Sequence, residues 1–118
     1  MKQSPIFART HDLVLWLLER SESFPRSQRF VLTRRLQDAV LDFQETLVEA
    51  ALGQEQDLMG RLRKADVDLG KLRFYLRLCH ELTWLSSGQY GHVSRMVAEV
   101  GRLLGGWQKK AAKQVGTA

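Results

Sequence analysis

The fold is decided by the stretch from Leu58 to Cys79, which reads LMGRLRKADVDLGKLRFYLRLC. Apolar side chains return in it at every third or fourth residue, and this spacing places them on one face of an α-helix. We predict a long helix from about Gln56 to Leu85, whose apolar face is turned towards a core. The seam on that face consists of Leu58, Leu62, Ala65, Leu69, Leu72, Leu76, Cys79 and Thr83.

A second apolar stripe on this helix lies away from the seam and contains Val67, Phe74, Leu78 and Leu85. Near the start of the chain, the run from Leu13 to Leu18 is apolar on every side of its predicted helix. A helix with two apolar faces needs two packing partners. Both segments therefore favour assembly of the chain with other subunits.

Helical spacing also covers the remainder of the chain, and no run alternates as a β-strand does. Breaks at 21–26, 52–55 and 86–89 divide it into four helical segments. Short connections make successive helices antiparallel neighbours, so we predict an all-α, up-down-up-down four-helix bundle. We expect the bundle to occupy residues 1–110 and residues 111–118 to form a disordered basic tail.

Length and composition restrict the class of protein. A chain of 118 residues fits one domain, and 44% hydrophobic with 26% charged residues is ordinary for a globular protein. Cys79 is the only cysteine, which excludes an internal disulfide. The longest apolar run has six residues, whereas a membrane span needs about 20. We expect a cytoplasmic protein that does not associate with membranes.

The net charge of +5 is unevenly distributed along the chain. Residues 1–57 contain 7 basic and 9 acidic side chains, whereas residues 58–118 contain 11 basic and 4 acidic side chains. Because the whole excess of positive charge lies in the second half, we expect an anionic partner on one surface.

The sequence gives little support to enzyme chemistry. The histidines His11, His80 and His92 lack metal-ligand spacing with one another and with Cys79. The neighbours Cys79, His80 and Glu81 cannot converge, because adjacent helical residues point in different directions. We therefore predict no catalytic residue, no metal and no cofactor.

The sharpest functional signal is the run from Leu72 to Arg77, which reads LRFYLR. Arg73 and Arg77 lie one helical turn apart, where like charges destabilise a helix by about 0.2–0.5 kcal/mol. Arginine binds phosphate through two nitrogen atoms, and the ring of Tyr75 can stack on a base. We predict that these three residues bind nucleic acid or an acidic partner.

Further basic residues enlarge this candidate site. Arg63, Lys64 and Lys71 belong to the same helix, and Arg102 joins them if the third and fourth helices are antiparallel neighbours. The alternative interpretation is a solvated basic face without a partner, and composition alone does not separate the two.

These motifs resemble those of the accessory variability determinant (Avd) proteins of diversity-generating retroelements. The resemblance rests on the LRFYLR run, on residues 98–107, which read AEVGRLLGGW, and on Phe24-Pro25-Arg26 at the first break. It covers roughly residues 13–107. Tyr75 stands where relatives often have tryptophan, which preserves an aromatic ring.

The resemblance implies a concrete role. Such proteins are four-helix bundles that assemble into basic homopentamers and bind the reverse transcriptase of the element together with RNA or DNA. They support error-prone copying of a template RNA, whose cDNA then replaces a variable repeat in a target gene, and they are not the polymerase. The conserved basic residues of the family fall on Arg73, Arg77 and Arg102.

A second hypothesis comes from the wider superfamily. It includes four-helix proteins encoded in intervening sequences of bacterial large-subunit rRNA genes. On this alternative, the chain is an interaction or RNA-binding protein without a reverse transcriptase partner.

Overall fold

A computed structural model describes residues 5–117, with side chains for residues 5–115. Four long helices form the described part of the chain, and no strand occurs within it. The helices are α1 (Pro5–Ser21), α2 (Arg34–Leu52), α3 (Leu58–Glu81) and α4 (Ser87–Thr117). The predicted all-α class is confirmed.

The helices form a bundle in which chain neighbours are also neighbours in space. α1 packs against α2 and α4, and α3 packs against the same two helices. The short connections between them reverse the chain direction each time, and the body measures 52 × 25 × 24 Å. The predicted antiparallel four-helix bundle is therefore confirmed.

The core is built from the apolar stripes that the sequence predicts. The apolar stripe of α2 recurs at intervals of three and four residues and consists of Leu36, Ala39, Phe43, Leu47 and Ala50, of which Phe43 is the largest fully buried side chain. On α3 the seam is buried from Leu62 to Cys79. The outer stripe of α3 is exposed at Val67 (53%) and Phe74 (61%), as expected for side chains directed away from the core. In the apolar run of α1, Leu15 is exposed, whereas Leu13, Val14 and Leu17 are buried.

Aromatic pairs close the bundle at its ends. At one end, Phe24 of the first connection packs on Trp84 of the last, with ring centroids 5.4 Å apart. At the other end, Phe7 of α1 contacts Trp107 of α4 at 6.0 Å. Trp16 of α1 also contacts His92 of α4 at 5.5 Å, so all three tryptophans join elements that are distant in sequence.

The start of α2 differs from the predicted start near Pro25. A 3-10 turn (Arg26–Gln28) and a π-helical turn (Arg29–Thr33) precede it, and regular α-helix begins at Arg34. A π-turn holds more residues per turn than an α-turn, so it shifts the phase of the side chains. As a result, Phe30 and Val31 face solvent, 79% and 57% exposed.

The end of α3 also differs from the prediction, because the helix stops at Glu81 rather than Leu85. Thr83 has a left-handed backbone (φ 66°), its N–H donates to the His80 carbonyl, and the Trp84 N–H donates to the Cys79 carbonyl. This is a Schellman termination, a place where glycine is usual. Thr83 is thus exposed instead of lying in the seam, whereas Leu85 turns back into the core and is 1% exposed.

The C-terminal residues extend α4 beyond the boundary placed after residue 110. The helix continues to Thr117, and Ala111 is 2% exposed. Burial of that alanine against the core gives the last turns a packing contact that the sequence analysis had not assigned to them. Where a disordered tail over 111–118 was expected, residues 111–117 are helical, and Ala118 lies outside the described residues.

A buried polar cluster links α2 to α3, and the sequence analysis missed it. Asp68 is 6% exposed and accepts hydrogen bonds at Oδ2 from the Thr46 hydroxyl (2.7 Å) and from Lys64 Nζ (3.1 Å). Lys64 Nζ also donates to the Thr46 oxygen at 3.3 Å. Because a buried carboxylate needs such partners, the cluster fixes the register of the two helices.

Replacing Asp68 by alanine should lower the free energy of unfolding by about 1.5–3 kcal/mol. The loss arises because the substitution removes the charged acceptor that joins Thr46 to Lys64, and the hydroxyl of Thr46 keeps only the Asp42 carbonyl as an acceptor. Urea denaturation measures the effect. Asp66→Ala, which removes an exposed carboxylate from the same helix, is the control and should change stability by less than about 0.5 kcal/mol. Equal effects of the two substitutions would contradict the structural role.

Burial raises the pKa of the Cys79 thiol from 9.0 to about 11. The folded state therefore favours the neutral thiol, and its contribution to stability is complete below pH 9 and lost as pH rises towards 11. Over that interval, wild type should lose more of its free energy of unfolding than Cys79→Ala does. Denaturation at stepped pH values tests this, and parallel curves for the two proteins would refute it.

Candidate nucleic-acid and partner interface

The basic residues of α3 are distributed over different sides of the helix. Residues two positions apart are separated by about 200° around a helix, so alternate members of the LRFYLR run face opposite ways. Two grooves result, one on each side of α3. Arg73 and Arg77 line the groove towards α4, and Lys71 and Tyr75 line the groove towards α2.

The α3–α4 groove has a volume of about 460 Å³. Its apolar floor comes from Leu76 and Val97, and its rim carries the two arginines. The other residues of this groove are Gly70, Phe74, Tyr90, Ser94 and Ala98. A groove with an apolar floor and a cationic rim suits an acidic protein segment or a nucleic acid strand.

Arg73 is positioned by a glycine on the opposite helix. Its Nη2 lies 2.7 Å from the point where a Cβ on Gly101 would stand. Any larger residue at 101 would displace the guanidinium. Gly101 thus leaves a notch in the surface of α4, and the guanidinium of Arg73 occupies this notch.

Arg77 pairs with Glu81, which lies one turn further along α3. Its Nε lies 3.0 Å from Oε1 of Glu81, and both side chains are exposed. An exposed pair of this kind contributes little to stability and leaves the guanidinium accessible. Beside it, Tyr90 stacks on His80 with ring centroids 4.3 Å apart, which fixes the phenol ring at the groove.

Tyr75 does not belong to the same surface as Arg73 and Arg77, contrary to the prediction. Its ring is half-buried in the α2–α3 groove, a space of about 530 Å³. The aromatic residues beside the two arginines are instead Phe74 and Tyr90. The α2–α3 groove is lined by Phe30, Val31, Arg34, Arg35, Asp38, Ala39, Asp42, Lys71 and Tyr75.

The other predicted site residues have separate environments. Lys64 is bound to Asp68 and Thr46 and so contributes to the link with α2. Arg63 is exposed on α3. Arg102 directly follows Gly101 but pairs with Glu99 at 3.9 Å, and Glu99 also binds Arg9 of α1 at 3.2 Å.

Sequence analysis missed several residues that line the two grooves. Tyr90 and Ser94 lie four residues apart near the start of α4, and that spacing marks one helix face. Phe30, Arg34 and Arg35 lie where the predicted α2 was expected to be regular, so only the π-turn reveals their common surface.

Within residues 5–117, no three His, Cys, Asp or Glu side chains converge as metal ligands would. Over the same residues, no helix combines the length and the hydropathy needed to cross a bilayer.

Comparison with known proteins identifies the family. A crystal structure from Bacteroides thetaiotaomicron, of a protein with unknown function from the S23 ribosomal protein family, has the same fold at a TM-score of 0.82. It is 17% identical, and the match covers 92% of this chain and 99% of that one. No curated protein matches the chain. The profile of the bAvd-like family matches residues 6–111, and the chain therefore belongs to this family.

Proposed function

We propose that the chain is the accessory subunit of a diversity-generating retroelement, a non-enzymatic homo-oligomer that holds reverse transcriptase and template RNA together. Membership of the bAvd-like family supports an Avd-type accessory protein. The more specific proposal, that the subunit binds reverse transcriptase and template RNA, rests on the α3–α4 groove. There Arg73 and Arg77, two of the three residues that the resemblance marks as functional, are exposed beside Phe74 and Tyr90.

The groove has the features of a docking site for a protein partner. Aromatic and arginine side chains dominate the energetics of protein interfaces, and here two of each lie around an apolar floor. A reverse transcriptase segment with acidic and apolar side chains would pair with both arginines and cover the ring of Phe74.

Self-assembly into a pentamer is part of the proposal. Large apolar side chains remain exposed on the outer stripe of α3 and on α1, where Leu15 is 53% exposed. Monomeric proteins tend to keep such surfaces small. A ring would cover part of them and would repeat the basic surface around its axis. Arg102 and Arg63, on exposed parts of α4 and α3, would then enlarge the surface available to nucleic acid.

The proposal predicts a reverse transcriptase gene in the same locus, and purification together with its product tests the proposal. The double variant Arg73→Ala/Arg77→Ala should bind the polymerase about 30-fold or more weakly, because two arginines at a groove are typical interface anchors. Arg73→Lys/Arg77→Lys should restore only part of the affinity, since lysine lacks the planar fork. Titration calorimetry measures each constant.

Arg95→Ala, which removes an exposed charge from α4 outside the groove, is the control and should bind as wild type does. Unchanged helicity and unchanged oligomer mass in the double variant would show that the loss concerns binding. Wild type that binds RNA but no polymerase would refute the retroelement role and favour the rRNA intervening-sequence type of protein.

The notch at Gly101 offers a second, independent test. Gly101→Ala should weaken polymerase binding, because the new methyl group displaces the guanidinium of Arg73. Gly105→Ala lies one turn further along α4 and meets nothing within 4 Å. Both substitutions gain about 1 kcal/mol of helix propensity, but only the first should reduce binding. Equal affinities of the two variants would contradict the positioning of Arg73.

A further inference from the structure

The α2–α3 groove lies on the opposite side of α3 from the groove assigned to the polymerase. Phe30 stands on its rim and is the most exposed aromatic ring of the described residues, at 79%. The π-turn that carries it also directs Val31 outward. Tyr75 is half-buried in the same groove, so two aromatic rings line one cavity.

Three cations surround these rings. Arg34, Arg35 and Lys71 all line the groove and are exposed. The pair between Arg34 and Asp38 is long, at 3.9 Å, and both its side chains are largely exposed. Such a pair contributes little, so a phosphate can displace the carboxylate from the guanidinium.

Two carboxylates, Asp38 and Asp42, also line the groove. They would repel a phosphate, but a carboxylate accepts hydrogen bonds from the Watson–Crick N–H groups of unpaired bases, such as the N3–H of uracil. In a duplex this N–H group is occupied by pairing, whereas in a single strand it is free. The mixture of rings, cations and carboxylates therefore fits an unpaired strand whose bases turn inwards.

We propose that the α2–α3 groove binds single-stranded RNA, with bases stacked on Phe30 and Tyr75 and phosphates held by Arg34, Arg35 and Lys71. The inference deepens the proposed function, because it assigns template RNA to one side of α3 and polymerase to the other. One subunit then holds both partners at once, separated by the width of a single helix.

A protein partner is the less favourable occupant of this groove. A protein interface has an apolar, desolvated centre, whereas here five charged side chains line one groove. A duplex also fits poorly, because its bases are stacked on one another and cannot stack on Phe30 and Tyr75. A single strand can lie along the groove and contact both the charged side chains and the rings.

Fluorescence anisotropy with a labelled oligouridine of about 12 nucleotides, in the absence of polymerase, tests the inference. Phe30→Ala should weaken binding about 5-fold or more, because stacking on an aromatic ring contributes about 1–3 kcal/mol per base. Phe30→Leu should weaken it equally and Phe30→Trp should retain it, since stacking requires an aromatic ring. A contact with a protein would tolerate leucine.

The salt dependence of binding gives a second readout. The logarithm of affinity should fall with the logarithm of salt concentration, and Arg34→Gln/Arg35→Gln should reduce the slope by about 0.7 for each arginine. Arg95→Gln, on the other side of the bundle, should leave slope and affinity unchanged.

Four results would overturn the inference. They are undetectable binding of oligouridine by wild type, equal or tighter binding of a duplex of the same length, wild-type affinity in Phe30→Leu, and a fall in oligomer mass in Phe30→Ala. The last would identify the patch as a contact between subunits. None of them affects the polymerase test, so co-purification with reverse transcriptase can still support the proposed function when this inference fails.

Discussion

Burial of the α3 seam is the constraint on which the other features depend. Once the side chains from Leu62 to Cys79 face the core, the direction of every other residue on that helix follows. The two edges of α3 lie on either side of this buried face. One edge forms a groove with α2, and the other forms a groove with α4. Basic side chains of α3 occur on both edges, so both grooves carry positively charged residues.

This arrangement explains why one short motif can support two separate surfaces. In the LRFYLR run, two leucines belong to the core, two arginines face α4 and the tyrosine faces α2. Phe74 lies at the outer edge of the α3–α4 groove, and its ring centroid is 5.3 Å from that of Tyr75. A compact run of residues that looks like one site in sequence thus serves both sides of a helix.

The periodic parts of the sequence were sufficient to predict the bundle and its core. Phe43 and Leu72, for example, are buried where the three- and four-residue spacing places them. Local backbone conformations were less predictable. Thr83 takes a conformation that usually requires glycine, and no residue pattern in the sequence indicates the π-turn before Arg34. At the candidate site, helical geometry alone could have separated Tyr75 from the arginines. The notch at Gly101 and the rims at Phe30 and Tyr90 depend on contacts between helices, which a single sequence does not reveal.

The contact between Arg73 and Gly101 joins two positions that are far apart in the chain. Alanine at 101 is compatible with the fold, since its Cβ would lie 3.5 Å from Leu69 Cδ2 and only the flexible end of the arginine needs to move, but it is not compatible with the arginine in its present place. The two positions should therefore vary together among related chains. Where 73 is a long basic residue, 101 should be glycine, and where 73 is short, 101 should be free to take alanine or serine. This pairing would mark which relatives use the α3–α4 groove as this chain does.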